Sequence, residues 1–163
     1  MPVGSMVIGL RWEAVMLTFA EVGVGALGGL VKVIVARPRP TAPLVNVFAL
    51  LTDSSFPSGH VLLFTAFLGF LLFMLYTLVP HSTRRTLGFV LFGALIALVG
   101  VSRVYLGEHW PSDVLGAYLL GSLWLTLTIY LYGWGKPRFF VNQPLAPASG
   151  ATVSAALKGQ APS

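Results

Sequence analysis

"VLLFTAFLGFLLFMLYTLV", residues 61–79, contains no charged side chain and no proline. At 1.5 Å per residue, about 20 such residues in a helix cross the hydrocarbon core of a bilayer. The whole chain has the same character. Its 163 residues are 56% hydrophobic and 9% charged, with a mean hydropathy of +0.84. A soluble domain of this length needs a larger polar share to cover its surface, which disfavours a soluble all-helical domain. The expected fold class is all-α, a polytopic membrane helical bundle of about four transmembrane helices.

Three further helices complete that bundle. The first is expected from about Trp12 to Ala36, with Glu21 inside it and Lys32 near its end. Gly25 and Gly29 give it a GxxxG spacing, expected to allow close packing within the bundle. An intramembrane carboxylate such as Glu21 is expected to face the bundle interior or water, to lie near the cytoplasmic end, or to mark where another subunit packs. The second helix is expected from Ser58 to Val79. The third is expected from Thr86 to Val101, with an extension to Tyr105, and the fourth from Pro111 to Trp134.

Residues 1–141 are expected to form one membrane-embedded domain. Residues 142–163, rich in Ala, Pro, Ser and Gly, are expected to be a disordered tail. "PRPTAPLVNVFALLTDSSF", residues 38–56, reads as a long, partly apolar loop, whereas "PHSTRR" (80–85) and "GWGKPR" (133–138) read as short basic connections. These basic connections are assigned to the cytoplasm by the positive-inside tendency. No secretory leader is evident in residues 1–10, so the first hydrophobic helix is expected to direct insertion. The absence of cysteine excludes disulfides and thiolate metal sites.

Four antiparallel helices bring three polar clusters to one membrane face: "KVIVARPRP" (32–40), "PSGH" (57–60) and "SRVYLGEHWPSD" (102–113). Each has a plain structural explanation. Lys32 can snorkel, Ser58 can cap a helix, Arg103 can pair with Glu108, and His109 with Asp113. All four explanations holding at once, on one face of a small bundle, is much less probable than any one alone. Lys32 and Arg39 stand two helical turns apart if the helix continues, although Pro38 and Pro40 disturb that turn. Ser58 and Gly59 open a helix, where backbone N–H groups and the dipole favour an anion. The net charge of +5 comes from ten Lys and Arg against five Asp and Glu. The bases do not form the solvated stripe of a nucleic-acid binder. Several lie where an anionic ligand at a membrane surface would meet them.

The ordered pattern Lys-x6-Arg-Pro (Lys32, Arg39, Pro40), Pro-Ser-Gly-His (Pro57 to His60) and Ser-Arg-x5-His-x3-Asp (Ser102, Arg103, His109, Asp113) is complete. It resembles the type 2 phosphatidic acid phosphatase superfamily, which also holds soluble acid phosphatases and vanadium haloperoxidases. The resemblance spans residues 32–113, and the helix layout carries it to about Trp134. It implies His109 as nucleophile forming a phosphohistidine, Asp113 hydrogen-bonded to its ring, and His60 as acid and then base. It implies Lys32, Arg39, Arg103, Ser58 and Gly59 as phosphate-binding groups. No cofactor is implied, and no carboxylate cluster suits Mg²⁺. Arg37 falls outside the motif register and is expected to touch headgroups. Glu108 has no assigned role, and His81 is expected in a loop on the opposite face.

The implied activity is metal-independent hydrolysis of a lipid phosphate or diphosphate, with undecaprenyl diphosphate, phosphatidylglycerol phosphate and phosphatidate as candidates. The haloperoxidase branch is disfavoured, because those relatives are soluble and much longer. The expected place is the inner (plasma) membrane, with the site on the extracytoplasmic face. The expected partners are a lipid phosphate and the membrane, with no nucleic acid; a homo-oligomer is compatible. Membrane members of the family commonly place two helices before Lys-x6-Arg-Pro. One precedes it here, so the chain reads as short at its N-terminus. The alternative is a non-catalytic membrane relative or a lipid-phosphate binder.

Overall fold

The computed structural model describes residues 3–41 and 52–139, with side chains from residue 12 to residue 138. The expected tail, the middle of the 38–56 loop and the extreme N-terminus lie outside the described residues. Four helices follow in order: α1 (Val3–Val35), α2 (Gly59–Leu78), α3 (Thr83–Tyr105) and α4 (Pro111–Phe139). All four are long and apolar enough to cross a membrane. α2 packs against each of the other three and is the most buried span, while α3 is the least.

The ends differ from the sequence expectations for identifiable reasons. α1 begins well before Trp12, and it stops at Val35 because Ala36 turns left-handed at φ 46° and donates its N–H to the Lys32 carbonyl at 3.0 Å. α3 starts at Thr83, where the Ser82 hydroxyl accepts the Arg85 N–H at 3.3 Å. Part of the "PHSTRR" connection is therefore helix. α4 continues through Pro137 to Phe139, so "GWGKPR" is helix rather than a connection. A proline in the last turn removes a single hydrogen bond, and Lys136 and Arg138 there favour the negative end of the dipole. Lys136 is also anchored, with Tyr132, to Glu13 at 2.9 and 2.8 Å respectively, tying α4 to α1.

The glycines that bring α1 close to its neighbours are not Gly25 and Gly29, where a Cβ would meet nothing within 4 Å. A Cβ at Gly23 would sit 2.1 Å from the Trp124 ring of α4, and one at Gly28 would sit 2.7 Å from Leu62 of α2. Between apolar helices in lipid, this close packing is the main source of association. Val24, Val61, Leu62, Ala66, Val114 and Ala117 form the buried cluster nearer the site. Glu21 lies in mid-α1, about 16 Å along the axis from Lys32, and among the described residues its buried Oε1 has no hydrogen-bond partner.

Candidate active site

The C-termini of α1 and α3 and the N-termini of α2 and α4 meet at one end of the bundle. Contacts between distant segments hold them there. Trp110 Nε1 donates to the Pro38 carbonyl at 3.1 Å. The Ser55 N–H donates to the Arg37 carbonyl at 2.8 Å. Phe56 packs so closely on α4 that a Cβ at Gly116 would sit 2.3 Å from its ring. Gly107, at φ 66°, ends α3 in a conformation that a side chain would strain, and so turns Glu108 and His109 beneath the α1–α2 connection.

His109 is the best-defined group at this end, with 3% of its side chain exposed. Its Nδ1 lies 2.8 Å from the Ser55 carbonyl oxygen. A carbonyl only accepts, so the neutral ring carries its proton on Nδ1 and its lone pair on Nε2. That Nε2 lies 3.3 Å from the Arg39 guanidinium. Burial first, and then the Arg39 charge, hold the His109 pKa below its ordinary value of 6.5, although Ser55 and Asp113 oppose the shift.

The expected hydrogen bond from His109 to Asp113 is corrected by the geometry: the carboxylate is 3.7 Å from Nδ1, and Ser55 takes the N–H instead. Asp113 is fully buried and holds the site together differently. One oxygen accepts from Arg37 at 2.8 Å, and the other from the Ser55 hydroxyl and from the Trp110 N–H at 2.9 Å. Arg37, expected at the headgroups, is thus an internal ion-pair partner; it also donates to the Ser112 hydroxyl at 2.8 Å.

Lys32, Arg39, Asp53, Gly59, His60, Leu63, Glu108 and His109 line a cavity of about 290 Å³. Five residues singled out in the sequence therefore share one space: Lys32, Arg39, Gly59, His60 and His109. α1 ends before Arg39, so an extended segment, rather than two helical turns, carries Arg39 to the cavity. Its Nε donates to the Asp53 carbonyl at 3.0 Å, its NH1 to the Glu108 carbonyl at 2.7 Å, and its NH2 to Asp53 Oδ1 at 2.6 Å.

Three sequence-selected residues lie outside that lining. Ser58 is fully buried, precedes α2 without a side-chain cap, and its Oγ has no partner among the described residues. Its N–H is directed at the Asp113 carbonyl at 3.4 Å. Asp113 is buried, as described above. Arg103 points to Glu108 Oε2 at 2.9 Å, the ion pair that its plain structural explanation anticipated. His81 is exposed in the α2–α3 connection.

Residues 13–137 match the PAP2 superfamily. The chain belongs to that superfamily. This PAP2 chain is 32% identical over 114 residues to phosphatidylglycerophosphatase B of Bacillus subtilis, an alignment covering 69% of the chain and 54% of the relative. It is 38% identical over 104 residues to undecaprenyl-diphosphatase of Sulfolobus acidocaldarius, covering 61% and 45%. The chain thus spans about half the length of these curated relatives. A transmembrane PAP2-type phosphatidylglycerolphosphate phosphatase from Bacillus subtilis, solved by crystallography, shares the fold at a TM-score of 0.63 and 23% identity, over 89% of this chain and 74% of that one. This PAP2 chain is accordingly an integral membrane helical bundle.

Asp53, Ser55 and the internal role of Arg37 are not part of the sequence pattern. An acid five residues before Ser58, in an otherwise largely uncharged loop, was the available signal for Asp53. Nothing local pointed to Ser55, because its role is a backbone carbonyl and a hydroxyl offered to residues more than fifty positions away.

Proposed function

We propose that the chain is a membrane phosphatase that hydrolyses a lipid phosphate or diphosphate through a phosphohistidine. The observation that carries this reading is the orientation of His109, whose lone-pair nitrogen lies at a cavity walled by Lys32, Arg39 and His60. Superfamily membership and the names of the lipid phosphatases among its relatives support the substrate class.

In this reading His109 Nε2 attacks phosphorus, the P–O bond to the lipid breaks, and His60 delivers a proton to the leaving oxygen. The positive charge that develops on the ring is stabilised by Asp113, a buried anion 3.7 Å from Nδ1. His60 then takes a proton from the water that attacks phosphorus, the P–N bond breaks, and inorganic phosphate leaves. Lys32 and Arg39 hold the phosphoryl oxygens, with Gly59 at the N-terminus of α2, where donors and dipole favour an anion. Rotation of Ser58 toward the cavity would add a hydroxyl donor that has no other partner among the described residues. Arg103, expected to hold phosphate, is paired with Glu108 beside the cavity, and that ion pair anchors the turn that carries His109.

The chain's membrane is proposed to be the plasma membrane, with the site on its extracytoplasmic face. Arg84, Arg85, Lys136 and Arg138 at the opposite end support that orientation. The test is a phosphate-release panel on undecaprenyl diphosphate, phosphatidylglycerol phosphate and phosphatidate, using purified wild type and His109→Ala with EDTA present. Release by the wild type alone supports the reading, and equal release by both rejects it.

Two further outcomes are expected. Arg39→Lys loses about 100- to 1,000-fold in kcat/KM, because one ammonium cannot serve the three separate directions used by the guanidinium. A variant within a few-fold of wild type would remove Arg39 from the phosphoryl site. The attacking ring must also be neutral, and its folded pKa lies below 6.5. The acid limb of kcat/KM against pH is therefore expected to have its midpoint below 6.5. A midpoint at or above that value would contradict the assignment of that limb to His109.

A further inference from the structure

We propose that the Asp53 carboxylate is an internal competitor for the phosphoryl group, holding Lys32 and Arg39 until a phosphate dianion displaces it and favouring release of the phosphate product. The inference rests on the cavity being a phosphoryl site, and it adds a residue that weakens retention of anions there. Its geometric basis is that both cations assigned to phosphate are taken by one carboxylate. Asp53 Oδ2 accepts from Lys32 Nζ, and Oδ1 from Arg39 NH2 at 2.6 Å. Two oxygens bridging two cations reproduce half of what a tetrahedral oxyanion would present to them.

Exposure identifies the partner that moves. The Asp53 side chain is 55% exposed, against 23% for Lys32 and 11% for Arg39. Backbone carbonyls hold both cations independently of the carboxylate: Ser54 accepts from Lys32 at 2.9 Å, and Asp53 and Glu108 accept from Arg39. Rotation of Asp53 into water leaves Lys32 and Arg39 in place. Glu108, the other acid at the cavity, is occupied by Arg103. Hydrogen bonding to Lys32, and then to Arg39, lowers the Asp53 pKa to about 2, so protonation does not open the site in the neutral range. A dianion with three terminal oxygens exerts a stronger pull on two cations than a monoanion does. After hydrolysis, the tethered carboxylate is ready to retake them.

A binding-competent state populated only in part weakens apparent affinity by that fraction. If Asp53 instead served merely to position the cations, its removal would weaken anion binding, which is the opposite sign. The test uses the full chain in detergent: wild type, Asp53→Asn and Asp53→Ser, the second guarding against a misfolded first variant. Binding of orthophosphate and orthovanadate is measured by calorimetry, together with product inhibition by phosphate on a dispersed lipid phosphate. Both variants are expected to bind either anion about tenfold or more tightly than wild type, with a lower KM and no gain in kcat. Unchanged or weaker binding in the variants, with wild type binding normally, overturns the role of Asp53 alone. A wild type that binds neither anion and releases no phosphate overturns the phosphoryl-site reading, and the inference with it.

Discussion

Phosphate release by His109→Ala is expected to fall by about 10⁴-fold or more, the scale on which covalent enzymes lose rate when their nucleophile is removed. The size follows from the chemistry assigned to one atom. In the proposed reading Lys32 and Arg39 remain to bind and polarise the phosphoryl group, but among the described residues no other imidazole nitrogen in the cavity has its lone pair fixed by a partner on the far side of the ring. His109 is buried, so alanine also leaves a void and strips the Ser55 carbonyl of its donor. His109→Asn separates chemistry from folding: its side-chain amide can donate to Ser55 while offering no nucleophile. Both variants are expected to be inactive, and the asparagine variant is expected to unfold close to the wild-type temperature. Wild type quenched in acid-sparing conditions should carry phosphate on His109, labelled from a radioactive lipid phosphate, and neither variant should. Residual activity above about one per cent of wild type in His109→Asn would rule out the phosphohistidine route.

Asp113→Ala is expected to be the most destabilising single substitution at this end of the bundle, at about 1–3 kcal/mol for each buried donor left without an acceptor. Three donors lose their acceptor together: the Arg37 guanidinium, the Ser55 hydroxyl and the Trp110 N–H. Ser55 in turn positions His109, so activity should fall with stability. Arg37→Met should cost less, because the Asp113 carboxylate keeps its Ser55 and Trp110 donors. Asp113→Asn, which keeps the volume and one acceptor oxygen, should fall between the two. Thermal unfolding in detergent, followed by tryptophan fluorescence, gives the order. An Asp113→Ala protein as stable as Arg37→Met would show that the carboxylate does not hold these segments together.

Much of the architecture was legible locally. An uncharged apolar run such as 61–79 has few options other than a spanning helix, because its backbone polar groups must be satisfied within the segment. Once the number of spans is set, alternation sends Lys32, Ser58, Arg103 and His109 to the same end. Helix limits were less legible. Pro137 looks like a stop, yet α4 runs past it, since the anchoring of Lys136 to Glu13 connects residues 123 positions apart. The GxxxG pair was visible as a spacing, but the face it occupies depends on how α1 is rotated against α2 and α4. That rotation buries Gly23 and Gly28 instead.

The same division holds at the site. By itself, the sequence determined that the chain is a membrane bundle and which motif residues gather at one end, because apolar run length and helix alternation are local properties. The tertiary structure alone decided which atom meets which. It put Ser55, rather than Asp113, against His109 Nδ1; it turned Arg37 inward to Asp113; it gave Arg103 to Glu108; and it laid Asp53 across Lys32 and Arg39. These partners sit in connections whose paths are not set by any periodicity, and a hydrogen bond is made or lost within an ångström. Only the packed arrangement of all four helix ends specifies distances that fine.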